Sequence, residues 1–221
     1  MTGKGFAVLF DLDGVTVDTE PLYSRAEIRL FKEYGVEIPK EDWGLFRGSS
    51  EETFFNLSME RYDIIENRNI FIKKGRKYVR EEFEKNISFV SGFKNLIDRI
   101  SSQYITGLVT ASPVHSLDWI RKRMNLDKYF QYIISGEETQ KNKPHPHPYI
   151  EMMQRIGIKP YNTIIIEDSM LGLSAALASD AHVVALNRSI AGNKLNNAHK
   201  VINHLDELTL EALEDLLQRP I

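Results

Sequence analysis

Two aspartates one residue apart, Asp11 and Asp13, follow the apolar run Phe6 to Phe10 and are themselves followed by Gly14. Alternate residues of a strand point to the same side, so both carboxylates can face one site at the strand's carboxyl end, where Gly14 lets the chain turn sharply. An aspartate with a reference pKa of about 3.9 is ionised at neutral pH and can attack phosphorus, forming an aspartyl-phosphate that water later cleaves. On this reading Asp11 is the nucleophile and Asp13 the general acid/base. The like charges of Asp11 and Asp168 favour the protonated form of Asp13, which gives its proton to the leaving alcohol and returns as base.

Other segments supply what such chemistry lacks. A phosphate dianion approaching Asp11, Glu167 and Asp168 is repelled unless a cation intervenes, and a ligand set made only of oxygens suits Mg²⁺ with several waters retained. Lys143, just before Pro144, adds a second positive charge. In Thr110-Ala111-Ser112 the Thr110 hydroxyl and neighbouring backbone N–H groups, that of Ala111 among them, can take phosphoryl oxygens. The expected partner is a small phosphate ester.

Each motif also has a plainer reading. Asp-x-Asp-Gly can be a turn or open a calcium loop, but such a loop needs Gly at position 6 and Glu at 12, where this chain has Thr16 and Leu22. Glu167-Asp168 can be a charge pair at a helix N-terminus. His145 and His147 invite zinc, yet without cysteines they supply too few ligands. His115 can reach substrate or cap a helix. The basic run Lys73-Lys74-Gly75-Arg76-Lys77 is followed at once by Glu81, Glu82 and Glu84, the pattern of a solvated helix face. A non-enzymatic binding protein on the same fold stays open as a function of another class.

The elements that must position these residues are legible as rhythm. Short apolar runs at Phe6 to Phe10, Ile105 to Thr110, Tyr132 to Ser135, Thr163 to Ile166 and Val183 to Leu186 alternate with helical patterns at Phe93 to Ile100, Ser116 to Met124, Tyr149 to Ile156 and Leu208 to Leu217. That alternation predicts an α/β fold with a parallel sheet covered on both faces. From Pro21 to about Asn86 the apolar residues keep helical spacing, which predicts a helical insertion after the first strand, hinged near Val15 to Pro21 and Lys85 to Gly92. Ser49 three residues before Glu52 reads as a capping box. The 221 residues leave room for one large domain and a smaller insert. A net charge of −3 gives no footprint for nucleic acid. The absence of cysteine fits a reducing compartment, and no apolar run suggests a leader or a membrane span, so a soluble cytoplasmic protein is expected, with a monomer plausible.

Taken together, Asp11-Leu12-Asp13-Gly14-Val15, Asp18-Thr19-Glu20, Thr110-Ala111-Ser112, Lys143-Pro144 and Ile166-Glu167-Asp168-Ser169 with Gly172 resemble the haloacid dehalogenase superfamily, in its branch of phosphatases and β-phosphoglucomutases with a helical cap. The resemblance implies a Rossmann-like three-layer core at residues 1–18 and 88–221 and a helical cap at 19–87. It also implies Mg²⁺ held by Asp11, the Asp13 backbone carbonyl and Asp168, with Glu167 in support, and Asp13 argues for phosphoryl transfer over dehalogenation. Where β-phosphoglucomutases carry a cap arginine, a histidine and a lysine, this chain has Glu51, Tyr23 and Pro113, which favours a phosphatase. Lys74 aligns with a mutase lysine and Arg47 can stand in for the arginine, so a sugar phosphomutase is the alternative. Thr110 to His115 and Lys143 to Pro146 are similar to hexitol and 2-deoxyhexose-6-phosphate phosphatases. Tyr23, Trp43, Arg47, Ser49, Lys74 and His115 are the candidates for reading the rest of the substrate.

Overall fold

Strand β1, Ala7–Phe10, is buried along its whole length, as a strand covered on both faces must be. The structure, a computed structural model, describes residues 5–46, 51–188, 195 and 197–220. By its internal contacts the chain divides into a unit formed by Met1–Thr16 with Phe89–Ile221, and a second unit, Val17–Ser88.

The second unit is helical. It comprises α1 (Glu20–Glu33), α2 (Trp43–Phe46), α3 (Glu51–Arg61) and α4 (Arg68–Asn86), and no strand occurs among its described residues. Pro21 stands in the first turn of α1, where a missing N–H costs nothing. The Asn67 side chain caps α4 by accepting from the Asn69 N–H. Leu30, Phe31, Phe46, Phe55 and Phe71 form the core of this unit. Gly75 is needed there because a Cβ would lie 2.7 Å from the Phe55 ring. Arg25 and Arg29 of α1 pair with Glu82 and Glu81 of α4. The proposed capping box at Ser49 lies outside the described residues.

The other unit continues with α5 (Phe93–Ile100), β2 (Ile105–Val109), α6 (Val114–Met124), β3 (Tyr132–Ile134), α7 (His147–Ile156), β4 (Thr163–Glu167), α8 (Met170–Leu177), β5 (His182–Leu186), β6 (Lys200–Ile202) and α9 (Leu210–Leu217). The six strands pair in parallel in the order β3-β2-β1-β4-β5-β6. This is an α/β Rossmann-like fold. Strand β6 has no counterpart in the sequence reading, because this three-residue edge strand buries only Ile202 and so shows no apolar run.

Alternate residues of β1 serve opposite layers. Ala7 and Leu9 join Tyr149, Met152, Leu173 and Ala176 in one core. Phe10 points the other way, edge-on to Phe93 and Phe130 with centroids 5.8 and 5.6 Å away. Central β1 lies between β2 and β4, so the connections leave it in opposite directions along the sheet, which opens a crevice at the strand carboxyl ends. No helix among the described residues is long and apolar enough to cross a membrane.

Candidate active site

Register brings the motifs together. Phe10 of β1 stands beside Leu108 of β2 and Ile166 of β4, so the residues that follow each strand emerge at one level. Asp11 is tied there by its N–H to the Ile166 carbonyl (3.1 Å), and the Thr16 hydroxyl donates to the Asp11 carbonyl (2.6 Å). Gly14 turns the chain at φ +80°, and a Cβ on it would lie 2.0 Å from Asp168 Oδ2. Glycine is required at this position by both the dihedral and the space.

The centre of the site is an ionic cluster with little access to water. Lys143 Nζ donates to Asp11 Oδ1 and Glu167 Oε1, each at 2.6 Å, and to the Val109 carbonyl at 3.0 Å. Its side chain is 4% exposed. Glu167 Oε1 also accepts from the Tyr149 hydroxyl at 2.6 Å, while Oε2 accepts from the Asp168 N–H and from the Ser169 N–H and hydroxyl. Glu167 therefore joins Lys143, Tyr149 and the start of α8. A Cβ on Gly172 would sit 1.9 Å from Glu167 Oε1. Gly172 thus makes room for this carboxylate.

Burial and the neighbouring Glu167 push the Asp11 carboxyl up to about 8, against the lowering effect of Lys143. This departs from the sequence reading, in which Asp11 keeps an ordinary carboxylate pKa; desolvation disfavours the charged form. Burial also works against the charge of Lys143, but Asp11 and Glu167 outweigh it and raise its pKa. The Tyr149 phenol is raised by burial and by Glu167, so it stays protonated as a donor.

Oxygens of Asp11, Glu167 and Asp168 lie within 4.8 Å of one another, the grouping among the described residues that could hold a metal. These carboxylates oppose a single ammonium, which leaves an excess of two negative charges when all are ionised. A hard divalent cation fits both the charge and the all-oxygen donor set, and it would hold Asp11 ionised. His145 and His147 are not part of that group. Their arrangement is local, since His145 Nδ1 accepts from the His147 N–H (3.2 Å) where α7 begins.

Loop 110–112 completes the rim. Thr110 is buried, and its hydroxyl accepts from the Ser112 N–H at 2.9 Å. The Asn142 side-chain amide donates to the Ala111 carbonyl at 3.3 Å, and its carbonyl accepts from the Lys143 N–H at 2.8 Å, which couples this loop to the lysine. The Ser112 hydroxyl donates to Asp13 Oδ2 at 2.7 Å. Sequence reasoning placed Asp11, Asp13, Thr110, Ala111, Lys143, Glu167 and Asp168 in one site, and the structure brings them together. It missed Tyr149, Thr16 and Asn142. Tyr149 follows an apolar helical spacing, and nothing local marks its hydroxyl as functional.

The remaining candidates belong to other elements. His115 is exposed in the first turn of α6. In the helical unit Tyr23 packs edge-on to Phe83, and Trp43 to Phe46. Lys74 pairs with Glu33 (3.1 Å) and Glu66 (3.6 Å) and donates to the Tyr34 hydroxyl (3.0 Å), so its charge is met inside that unit. Arg47 and Ser49 lie outside the described residues.

Known proteins resemble this chain in sequence and fold. The chain is 29% identical over 171 residues to a phosphorylated carbohydrates phosphatase of Thermotoga maritima, covering 77% of this chain and 79% of the relative. It is 27% identical over 218 residues to hexitol phosphatase B of Escherichia coli, covering 94% and 96%. The β-phosphoglucomutase of Clostridium difficile has the same fold, with a TM-score of 0.79 at 20% identity and 96% of each chain covered. The family model for haloacid dehalogenase-like hydrolases matches residues 8–186, which span the strand β1, the helical insert and the loops that carry Asp11, Lys143 and Asp168: this chain belongs to the haloacid dehalogenase-like hydrolase family.

Proposed function

We propose that the chain is a Mg²⁺-dependent phosphatase acting on small phosphate monoesters, sugar or polyol phosphates above all. The observation that carries this reading is the buried bridge of Lys143 between Asp11 and Glu167, with the Asp13 carboxylate held by Ser112 beside it. A nucleophile, a charge-neutralising cation and a separate acid/base share one crevice. The relatives named as carbohydrate and hexitol phosphatases support the substrate class.

Asp11, Asp168 and the Asp13 backbone carbonyl would hold the metal, with Glu167 supporting Lys143 and Asp168. When bound, Mg²⁺ supplies the positive charge that lets a phosphate dianion come up to Asp11. Asp11 Oδ attacks phosphorus as the P–O bond to the alcohol breaks, and Asp13 gives its proton to the departing oxygen. Asp13 then takes a proton from water, whose oxygen attacks the aspartyl-phosphate and frees Asp11 and inorganic phosphate. Lys143, the Thr110 hydroxyl and the Ala111 N–H steady the phosphoryl oxygens throughout. The helical unit is assigned the role of cap, reading the non-phosphate end of the substrate.

The phosphomutase alternative asks the helical unit for a cationic grip on a second phosphate. Lys74 is already engaged by Glu33 and Glu66, and Glu51 pairs with Arg76, which weighs against it. The test is phosphate release from hexose, pentose and polyol monophosphates with Mg²⁺ and with a chelator. Release is expected only with Mg²⁺, and Asp11→Asn is expected to abolish it; undiminished release by that variant refutes the mechanism.

A further inference from the structure

We propose that Ser112 is a positioning residue of the general acid/base: its hydroxyl anchors Asp13 Oδ2 and so helps set the plane in which the Asp13 carboxyl exchanges its proton. This rests on the phosphatase reading above. An aspartate's terminal torsion is broad and two-fold, so a carboxyl held only by its backbone swings, and proton transfer requires heavy atoms within about 2.6–3.2 Å in a fixed pose. The bond from Ser112 Oγ to Oδ2, 2.7 Å, restrains that torsion from one side.

Ser112 can do this because it is itself held on several sides. Its N–H donates to Thr110 Oγ1 at 2.9 Å, and its carbonyl accepts from the Gly136 N–H at 3.2 Å. The preceding carbonyl, that of Ala111, is bound by the Asn142 amide. A Cβ at Gly136 would lie 2.5 Å from that same Ala111 carbonyl, so glycine is what lets the two segments approach so closely. The hydroxyl is thereby aimed across 99 residues of sequence at Asp13.

The choice of a hydroxyl has a chemical reason. Asp13 alternates between acid and base within one turnover. The Ser112 hydroxyl donates to Oδ2 whether or not Oδ1 carries the proton, so the anchor survives both states without the fixed positive charge of an amine or guanidinium, which would hold Asp13 ionised.

The test separates positioning from structure through the leaving group. An alkyl alcohol must be protonated as it departs, while p-nitrophenolate leaves as a stabilised anion and needs no proton. kcat/KM reports the first half-reaction, in which that proton is given. For Ser112→Ala, kcat/KM for a hexitol phosphate is expected to fall about 10- to 100-fold, a part of what an acid/base group supplies, and to fall less than about 3-fold for p-nitrophenyl phosphate. Ser112→Thr, which keeps the hydroxyl, is expected to restore the alkyl ester to within about 3-fold of the unsubstituted protein. An equal fall on both esters, no fall on either, or a threonine variant as impaired as the alanine one overturns the inference. Unsubstituted protein that hydrolyses neither ester with Mg²⁺ overturns the phosphatase reading and this inference with it.

Discussion

Replacing Tyr149 by phenylalanine removes one oxygen from the molecule and tests whether Glu167 is the hub of the site. The phenol is fully buried, as is Glu167, and donates to Oε1 at 2.6 Å. A hydrogen bond to a charged group is worth about 1.5–3 kcal/mol, and solvent cannot replace the lost donor at a buried pair. Oε1 keeps Lys143 and Oε2 keeps its donors from Asp168 and Ser169, so the lower part of that range applies, about 2 kcal/mol. For a chain of this size that corresponds to a fall of about 4–8 °C in Tm. The ring itself stays, so no apolar packing is lost. Thermal and urea unfolding should be followed in chelator, because any bound cation would add its own stabilisation. A double-mutant cycle with Glu167→Gln, which keeps an acceptor oxygen but not the carboxylate, reports the part of the bond that depends on the carboxylate and should give a coupling of about 1 kcal/mol or more. The same substitution leaves Glu167 leaning harder on Lys143, which then serves Asp11 less, so kcat/KM should fall roughly 3- to 10-fold. A Tm within about 1 °C of the parent, or a coupling under about 0.5 kcal/mol, would refute the assignment of Glu167 as the acceptor for this hydroxyl.

Gly172→Ala, which in an ordinary helix position gains up to about 1 kcal/mol, should here cost about 1–3 kcal/mol and most of the activity. The added Cβ would lie 1.9 Å from Glu167 Oε1, and melting temperature together with phosphate release reads both effects. Stability should also fall in mild acid through His182 and His199, whose rings lie 5.7 Å apart by centroid. Burial lowers both of their pKa values, with the neighbouring His199 adding to the shift of His182. Above the ordinary value of 6.5 both states are neutral and nothing changes; below it the unfolded chain takes up protons first, so stability declines until the folded histidines titrate. Urea midpoints at pH 7.5 and 5.5 should differ less in His182→Leu than in the parent, and an unchanged difference would contradict the assignment.

The comparison of sequence with structure turns on what kind of information each feature carries. The fold class was legible because buried parallel strands are continuous apolar runs and helices repeat every 3.6 residues, both local signals. The candidate site residues were legible for a related reason: Asp11, Asp13, Glu167 and Asp168 are charged residues at the ends of apolar runs, and Lys143 precedes Pro144 in the loop after the third run. Strand β6 was not legible, since pairing with β5 makes it a strand and its own residues do not.

What only the tertiary structure decided is which groups share an oxygen. Tyr149 sits in an apolar helical spacing in the chain, and it and Gly172 meet the Glu167 carboxylate because α7 and α8 both close on it. Ser112 is 99 residues from Asp13, and no local pattern announces their bond. Lys74 is a candidate substrate contact by its place in the chain, and only the fold shows Glu33, Glu66 and Tyr34 around it. The Asp11 carboxyl shows the division most plainly. Its identity and place at a strand end came from sequence, but its elevated pKa depends on burial and on Glu167, because desolvation and Coulomb energy are set by distance through space and not along the chain.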